Sequence, residues 1–457
     1  LIKKILSYGF IEGMSKGLNK LTFLILPFIL ADIDSFGFIG LIVSIELILP
    51  YFTLLGLERA ILRFYSEKQQ INAFEQTIFK MVNLAHIAAT LCILLLNQFY
   101  GTIFGIDIYP YIYLVVVLVY LQGINLLHLN IYRASNQHKI YFGNRLVLQI
   151  LKFALVILFV YFLNGPMGYL VGAILAALIT NIVYRKKKLS LTGEGYMKFP
   201  KETMRTLLLF SWPFIFHSLA SNLLGNADKF ILERYLDMEQ VGLYTFAYSF
   251  GTSVVFAFLG ITVYIEPLIY KENEEGKRKI LLNKFLLMAL AMGILATLAI
   301  YLISIFVLPE LYKTSYQSVI YLIPLIAISY ILQPFYFKAN YQLIYAKKSF
   351  NIAFVSIVSC ILNIILNIVL IPKFGIIAAV YTTFISNALQ YMMFVLMANK
   401  FKIDSDFIEL TILSIGISFF IYYEISILYI FLYLIMYLCY FYYFKMRKTI
   451  KIKSSEI

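Results

Sequence analysis

Charge is scarce in this sequence. Of its 457 residues 14% are Asp, Glu, Lys or Arg, where soluble domains carry about 25%. Apolar residues make up 61%, more than a fold in water can bury, so a soluble globular domain is excluded and a membrane is the solvent that fits. Cysteine is rarer still. Cys92, Cys360 and Cys439 all lie inside apolar blocks, which excludes a disulfide framework. No Gly-rich loop leads into Lys-Ser/Thr to cradle phosphates, so an ATPase is not expected. No Cys/His cluster has metal-ligand spacing, and no acid pair sits in a soluble domain. The expectation is a protein that is not an enzyme and uses no metal or cofactor.

Acidic residues are the scarcer sign, 24 against 38 Lys and Arg, for a net charge of +14. The basic residues fall between apolar blocks, with no basic domain and no basic-aromatic platform, which argues against a nucleic-acid partner. Glu12, Lys16 and Lys20 interrupt the first apolar block, which therefore does not read as a cleavable signal.

What the chain has is spans. A membrane helix needs roughly 20 mostly apolar residues, and the blocks between charges and Pro/Gly breaks give fourteen: about 7–31, 36–57, 78–100, 111–132, 146–163, 167–184, 206–227, 240–266, 285–308, 318–337, 351–371, 375–398, 408–423 and 426–444. With a cytoplasmic N-terminus, about 31 of the 38 Lys and Arg fall on the inner side; the outer loops hold only Lys229, Arg234, Lys313 and Lys373, and Lys16, Lys20 and Lys152 lie within spans. Both ends are then cytoplasmic. No loop is long enough to fold as a domain, and the large outer loops of a membrane glycosyl polymerase or ligase are missing.

The sequence also resembles itself. "SFGFIGLIVS" (Ser35 to Ser44) and "QVGLYTFAYS" (Gln240 to Ser249) place Gly37 and Gly242 205 residues apart. "NGPMGYLVGAILAALITN" (Asn164 to Asn181) and "IPKFGIIAAVYTTFISN" (Ile371 to Asn387) place Gly168 and Gly375 207 apart. Each Gly turn leads into a helix with a small residue one turn on (Gly40, Gly172, Ala379), the pattern that lets membrane helices approach closely. Both copies follow an even number of spans, which predicts a parallel repeat. The expected fold is all-α and polytopic: an N-terminal six-helix bundle over 1–184, a basic cytoplasmic linker over 185–205, a C-terminal six-helix bundle over 206–398, and two extra helices with a basic tail over 399–457. Two bundles around a central cavity form a transporter's plan.

Polar stripes mark where a lumen would lie. In "FSWPFIFHSLASNLLGNADKFIL" (Phe210 to Leu232), Ser211, Ser218, Ser221, Asn222, Gly225, Asp228 and Lys229 recur at helical steps on one face, with Pro213 a candidate bend. Span 1 repeats the theme with Glu12, Ser15, Lys16, Asn19 and Lys20. A central charge costs about 2.5–3.5 kcal/mol on the insertion scale, so this face reads as lining a wet cavity in preference to snorkelling. Arg59 and Arg63, four apart beside Glu58, share a face that fits either a phosphate or positive-inside anchoring. The stripes Ser356, Ser359, Asn363, Asn367 and Thr383, Ser386, Asn387, Gln390 read equally as interhelical hydrogen bonding. Lys152 reads as snorkelling from the end of span 5. Glu46 has no evident local partner and is a candidate proton carrier, and His217 fits a structural or a functional role alike.

At these residues the chain resembles the polysaccharide-biosynthesis transporters, the O-antigen flippase (Wzx-type) branch of the multidrug/oligosaccharidyl-lipid/polysaccharide exporter superfamily. Three stretches carry the likeness: "LPFILADIDSFGFIGLIVSIELILPYFTLLGLERAILRFY" (Leu26 to Tyr65), "FSWPFIFHSLASNLLGNADKFILERYLDMEQVGLYTFAYSF" (Phe210 to Phe250) and "LNIILNIVLIPKFGIIAAVYTTFISN" (Leu362 to Asn387). The resemblance implies translocation of undecaprenyl-pyrophosphate-linked oligosaccharide units across the bacterial inner membrane, by alternating access around a cationic lumen. On that reading Lys16, Lys20, Arg59, Arg63 and Lys229 supply countercharge to the pyrophosphate, and Ser218, Ser221, Asn222 and Asp228 form a polar lumen stripe. Glu12, Glu46 and Asp228 are the acids implied for ion coupling. The implied partners are a lipid-linked oligosaccharide and membrane lipids, with a polysaccharide polymerase and a chain-length regulator beside them, and no nucleic acid.

Two other readings compete. A drug or metabolite antiporter of the same superfamily shares the architecture, but surplus lumen cations favour an anionic substrate. A membrane glycosyl- or acyltransferase would need a catalytic acid or His in a loop, and the sequence offers no such constellation.

Overall fold

The computed structural model describes residues 2–65, 71–100, 108–135, 137–184, 201–312, 314–346 and 348–399. The expected spans 408–423 and 426–444, the basic tail and most of the 185–205 linker lie outside the described residues, as do the side chains of Glu12 and Arg63.

All regular structure among the described residues is helical. In chain order the helices are α1 (Ile2–Ile29), α2 (Ile33–Ile48), α3 (Pro50–Leu54), α4 (Leu57–Phe64), α5 (Ile71–Tyr100), α6 (Tyr111–Ala134), α7 (His138–Leu163), α8 (Pro166–Val183), α9 (Lys201–Leu224) and α10 (Ala227–Tyr235). They continue with α11 (Met238–Gly251), α12 (Phe256–Lys271), α13 (Glu275–Phe306), α14 (Leu308–Leu311), α15 (Thr314–Gln317), α16 (Leu322–Ser329), α17 (Gln333–Tyr345), α18 (Ser349–Phe374) and α19 (Ile376–Ala398). Among the described residues eleven stretches, from Ile33–Leu54 to Ile376–Ala398, are long and apolar enough to cross a membrane, and they coincide with expected spans 2 to 12. Span 1 is the 28-residue helix α1, whose sequence holds five charged residues, Lys3, Lys4, Glu12, Lys16 and Lys20. The chain is an all-α polytopic membrane protein.

Burial follows the logic of a lipid solvent. On α5, Leu84, Ile87, Leu91, Leu95 and Phe99 form an exposed apolar stripe, while Asn125, Lys152, Asn363, Asn367 and Glu46 are buried. Apolar groups face out and polar groups face in because hydrocarbon cannot satisfy a hydrogen bond.

The chain divides into two compact units, Leu1–Ser249 with Leu343–Gln390, and Phe250–Gln342 with Tyr391–Ile457. In the second, Val254, Phe258, Ile261 and Ile265 of the α12 region pack with Phe285 and Ala289 of α13 and Tyr341 of α17. The first holds the polar features.

Several expected straight spans are interrupted. Asp32 caps α2 by accepting a 2.6 Å hydrogen bond from Ser35 N. Pro50 then offers no N–H to the Glu46 carbonyl four residues back, and α3 starts anew. Leu55 and Gly56 adopt positive φ (52° and 66°) and turn the chain into α4. The stripe read as one face over 210–232 is two helices: α9 continues past position 213 and stops at Leu224, and after Gly225 and Asn226 the chain restarts as α10. The expected spans 240–266 and 318–337 are likewise each divided, between α11 and α12 and between α16 and α17.

The repeat is visible, with one register corrected. Gly37 and Gly242 occupy matching places on α2 and α11 and pack against each other. The second pair is not Gly168 with Gly375. Gly165 (φ 76°, ψ −157°) joins α7 to α8 as Gly375 (φ 65°, ψ −147°) joins α18 to α19, so these two are the equivalents. Gly168 instead sits inside α8, where its Cα lies against the Phe159 and Val160 backbone of α7.

Candidate functional site

The first unit holds a partly open cavity of about 390 Å³, lined from α1, α2, α3, α4, α6, α7, α8 and α9. Its charge is the notable property. Lys16 of α1, Arg59 of α4, and Arg145 and Lys152 of α7 line it together with the carboxylates of Glu46 and Glu58. Four cations against two acids leave a positive surplus. Ser15, Asn19, Tyr51, Gln122, Asn125 and Gln149 supply neutral hydrogen-bonding groups around them.

Local packing sets these side chains. On α4, Leu57, Ala60 and Ile61 are buried against Phe74 and Ile78 of α5, Leu127 and Ile131 of α6, and Leu207 of α9. That anchoring leaves Glu58 and Arg59 for the cavity side of the short helix. Arg59 Nη2 donates to Ser218 Oγ of α9 at 3.2 Å. On α1, Lys16 follows the buried Ser15 and is itself exposed along the cavity wall. Arg145 and Lys152 are seven residues apart on α7 and so share a face.

Glu46 is not without a partner, and Lys152 does not snorkel. Lys152 Nζ lies 2.7 Å from Glu46 Oε1, both residues being 8% exposed. Gln122 Nε2 donates to the same oxygen at 2.6 Å, and Tyr169 OH donates to Oε2 at 2.9 Å. Lys152 lies mid-helix in α7, and the carboxylate 106 residues away in sequence satisfies its ammonium.

Other predicted residues lie elsewhere. Lys229 is held by Asn226 Oδ1 at 3.1 Å and Ser44 Oγ at 3.4 Å, with its ammonium 5.6 Å from the centre of the Tyr248 ring. Asp228 is fully buried, accepting from Tyr244 OH and from Lys229 N. Lys20 is close enough to Lys229 for the two to repel. Asn222 donates to Tyr51 OH at 2.6 Å, and Ser221 Oγ donates back to the His217 carbonyl at 2.8 Å. None of Lys20, Ser221, Asn222, Asp228 or Lys229 is among the residues that line the cavity; Lys16, Arg59, Ser218 and Glu46 are. His217 bonds Ser356 of α18 through Nδ1 at 2.8 Å, a tie between two helices. Asn367 donates to Asn363 Oδ1 at 3.0 Å and accepts from Thr382 of α19, so the α18 stripe joins helices.

Sequence reasoning missed Arg145, Gln122 and Tyr169. The seven-residue spacing of Arg145 and Lys152 was a usable signal; the other two carry none that an isolated apolar helix reveals.

Such a site suits a large anion with hydroxyl groups: cations for the charge, amides and hydroxyls for the rest. Among the described residues no group of three or more His, Cys, Asp or Glu is placed to hold a metal ion. The fold has solved counterparts. A structure described as the lipid II flippase MurJ in an inward closed conformation matches with TM-score 0.71 and 16% identity, over 97% of this chain and 99% of that one. An inward-facing multidrug resistance MATE family transporter of the MOP superfamily matches with TM-score 0.69 and 13% identity, over 87% and 95%. A point mutant of the Vibrio cholerae MATE transporter VcmN matches with TM-score 0.59 and 15% identity, over 87% and 94%. At these identities the likeness is one of fold. No curated protein matches the sequence. The family model described as "polysaccharide biosynthesis protein" matches residues 1–254, more than half the chain, and the chain therefore belongs to that family.

Proposed function

We propose that this protein is a flippase that carries undecaprenyl-pyrophosphate-linked oligosaccharide units across the bacterial inner membrane, by alternating access, for surface polysaccharide such as O-antigen, lipopolysaccharide or capsule. The observation that carries the reading is the positive surplus of Lys16, Arg59, Arg145 and Lys152 in one cavity of a membrane protein. A diphosphate cannot enter hydrocarbon unaided, since an unpaired buried charge is prohibitively costly, and a cationic cavity removes that barrier. The polar groups beside the cations suit sugar hydroxyls, and the lipid tail stays in the bilayer. Family membership and the likeness to a structure titled a lipid II flippase support the same reading. Residues 1–184 and 206–398 act as the two bundles, with both termini cytoplasmic, and a polymerase and a chain-length regulator take the product onward. Lys20, Arg63 and Lys229 add countercharge along the anion's path, and Glu12, Glu46 and Asp228 are the acids to test for ion coupling.

A drug or metabolite antiporter is the second reading, favoured by the likeness to MATE transporters. The cavity's charge speaks for an anion over a cationic drug. Deleting the gene tests the choice: lipid-linked repeat units should accumulate facing the cytoplasm and surface polysaccharide should fall. Normal polysaccharide in a deletion strain without a second flippase would overturn the flippase reading.

A further inference from the structure

The Glu46 carboxylate has two unlike sides. Its Oε1 accepts from Lys152 Nζ at 2.7 Å and Gln122 Nε2 at 2.6 Å, and both donor residues line the cavity. Its Oε2 accepts from Tyr169 OH at 2.9 Å, and Tyr169 is fully buried in the wall and is not a lining residue. One oxygen thus faces the chamber through two exchangeable donors while the other is pinned behind it.

An ammonium and an amide N–H₂ converging on one anionic oxygen is also how a protein holds a phosphate oxygen. We propose that Lys152 and Gln122 form an anion subsite of the cavity, that Glu46 fills it as a resident counter-ion when the cavity is empty, and that a substrate phosphate takes these two donors in exchange. The proposal rests on the anionic-substrate reading above and deepens it by naming the subsite. Two physical needs favour such an exchange. An empty cavity with Lys152 unpaired would bury a naked ammonium, which is destabilising. A transporter must also release its cargo, and a carboxylate that re-pairs with Lys152 as the phosphate leaves spares the protein that stranded charge. Tyr169 keeps Glu46 hydrogen-bonded throughout. Lys16 from α1, Arg59 from α4 and Arg145 from α7 are the further cations that draw the phosphate inward against Glu46 and Glu58.

The test uses the purified full chain in detergent micelles with inorganic pyrophosphate as probe, read by calorimetric titration, with thermal unfolding to confirm that each variant is folded. Glu46→Gln removes the competitor and is expected to bind pyrophosphate about tenfold more tightly, whereas Lys152→Gln is expected to bind about tenfold more weakly. Opposite signs are expected, and Glu58→Gln separates the exchange from the cavity's general field, because it removes one lining charge without freeing Lys152 or Gln122: a gain well below that of Glu46→Gln is expected, and an equal gain overturns the exchange. Weakening in both, or no change in Glu46→Gln, overturns the exchange while wild-type binding keeps the anionic-substrate reading. No binding by wild type or by Glu46→Gln at millimolar pyrophosphate overturns both. Should Glu46→Gln fail to fold, Gln122→Leu decides: severalfold weaker binding is expected, and unchanged binding overturns the subsite. Undecaprenyl diphosphate in the same micelles should rank the variants in the same order, and the reverse order overturns the exchange for a lipid-borne anion.

Discussion

Gly37 on α2 and Gly242 on α11 lie so close that neither has room for a methyl group. A Cβ on Gly37 would meet Met238 O and stand 2.7 Å from Gly242 N, and a Cβ on Gly242 would meet Ile33 O and stand 2.6 Å from Ile33 Cγ2. One turn on, a Cβ on Gly40 would run into the Thr245 side chain. Two helices related by the internal repeat thus cross at their own matching glycines, which van der Waals packing in a membrane rewards and any side chain prevents.

Gly37→Ala should destabilise the protein by about 1–3 kcal/mol, the usual range for overpacking a close contact. Gly17→Ala on α1, where nothing lies within 4 Å, should be neutral or stabilising by up to about 1 kcal/mol. Thermal unfolding of the two variants in the same detergent measures the contrast. Equal midpoints would show that the α2–α11 crossing is not tight.

Lys16 and Lys20 are one turn apart, yet only Lys16 lines the cavity. Lys16→Ala should lower polysaccharide export in a complemented deletion strain by about tenfold, the scale of losing one charge contact to a bound phosphate. Lys20→Ala should lower it less. Full rescue by both would remove the cationic-site assignment and leave the fold untouched.

How much of this was legible in the sequence depended on distance along the chain. The spans are local patterns, and so is the Lys16–Asn19 face of α1. Arg59 was found because Glu58, Arg59 and Arg63 crowd one apolar boundary. Glu46 and Lys152 looked unrelated because 106 residues separate them, and each alone in an apolar helix reads as an anomaly. The break after Leu224 was hidden because Gly225 and Asn226 are tolerated inside a membrane helix, so the stripe seemed to continue to Lys229. The Gly165–Gly375 equivalence was missed for a similar reason: matching backbone angles, not neighbouring letters, define it.

Asp228 reads from the sequence as a lumen acid and is found bonded to Tyr244 with no exposed surface. Tyr244→Phe should therefore cost about 1–3 kcal/mol of stability by leaving a buried carboxylate short of a donor. In a double-mutant cycle with Asp228→Asn, measured by thermal unfolding, the two losses should be far from additive. Additive losses would mean that the pair does not interact.

The α18 stripe should behave as helix-to-helix bonding. Thr382→Val removes the donor to Asn367 and should cost about 0.6–2 kcal/mol, the range for hydrogen bonds between membrane helices. Export by the folded protein should stay near wild type. A loss of export without a loss of stability would move this stripe into the transport path.

The most direct measurement is transfer itself. Purified protein in liposomes, with a fluorescent undecaprenyl-diphosphate-linked saccharide in one leaflet, should move the lipid to the other leaflet, and Lys16→Ala combined with Arg59→Ala should slow that transfer at least about tenfold while leaving the unfolding midpoint near wild type. Transfer by the double variant at the wild-type rate would contradict the account.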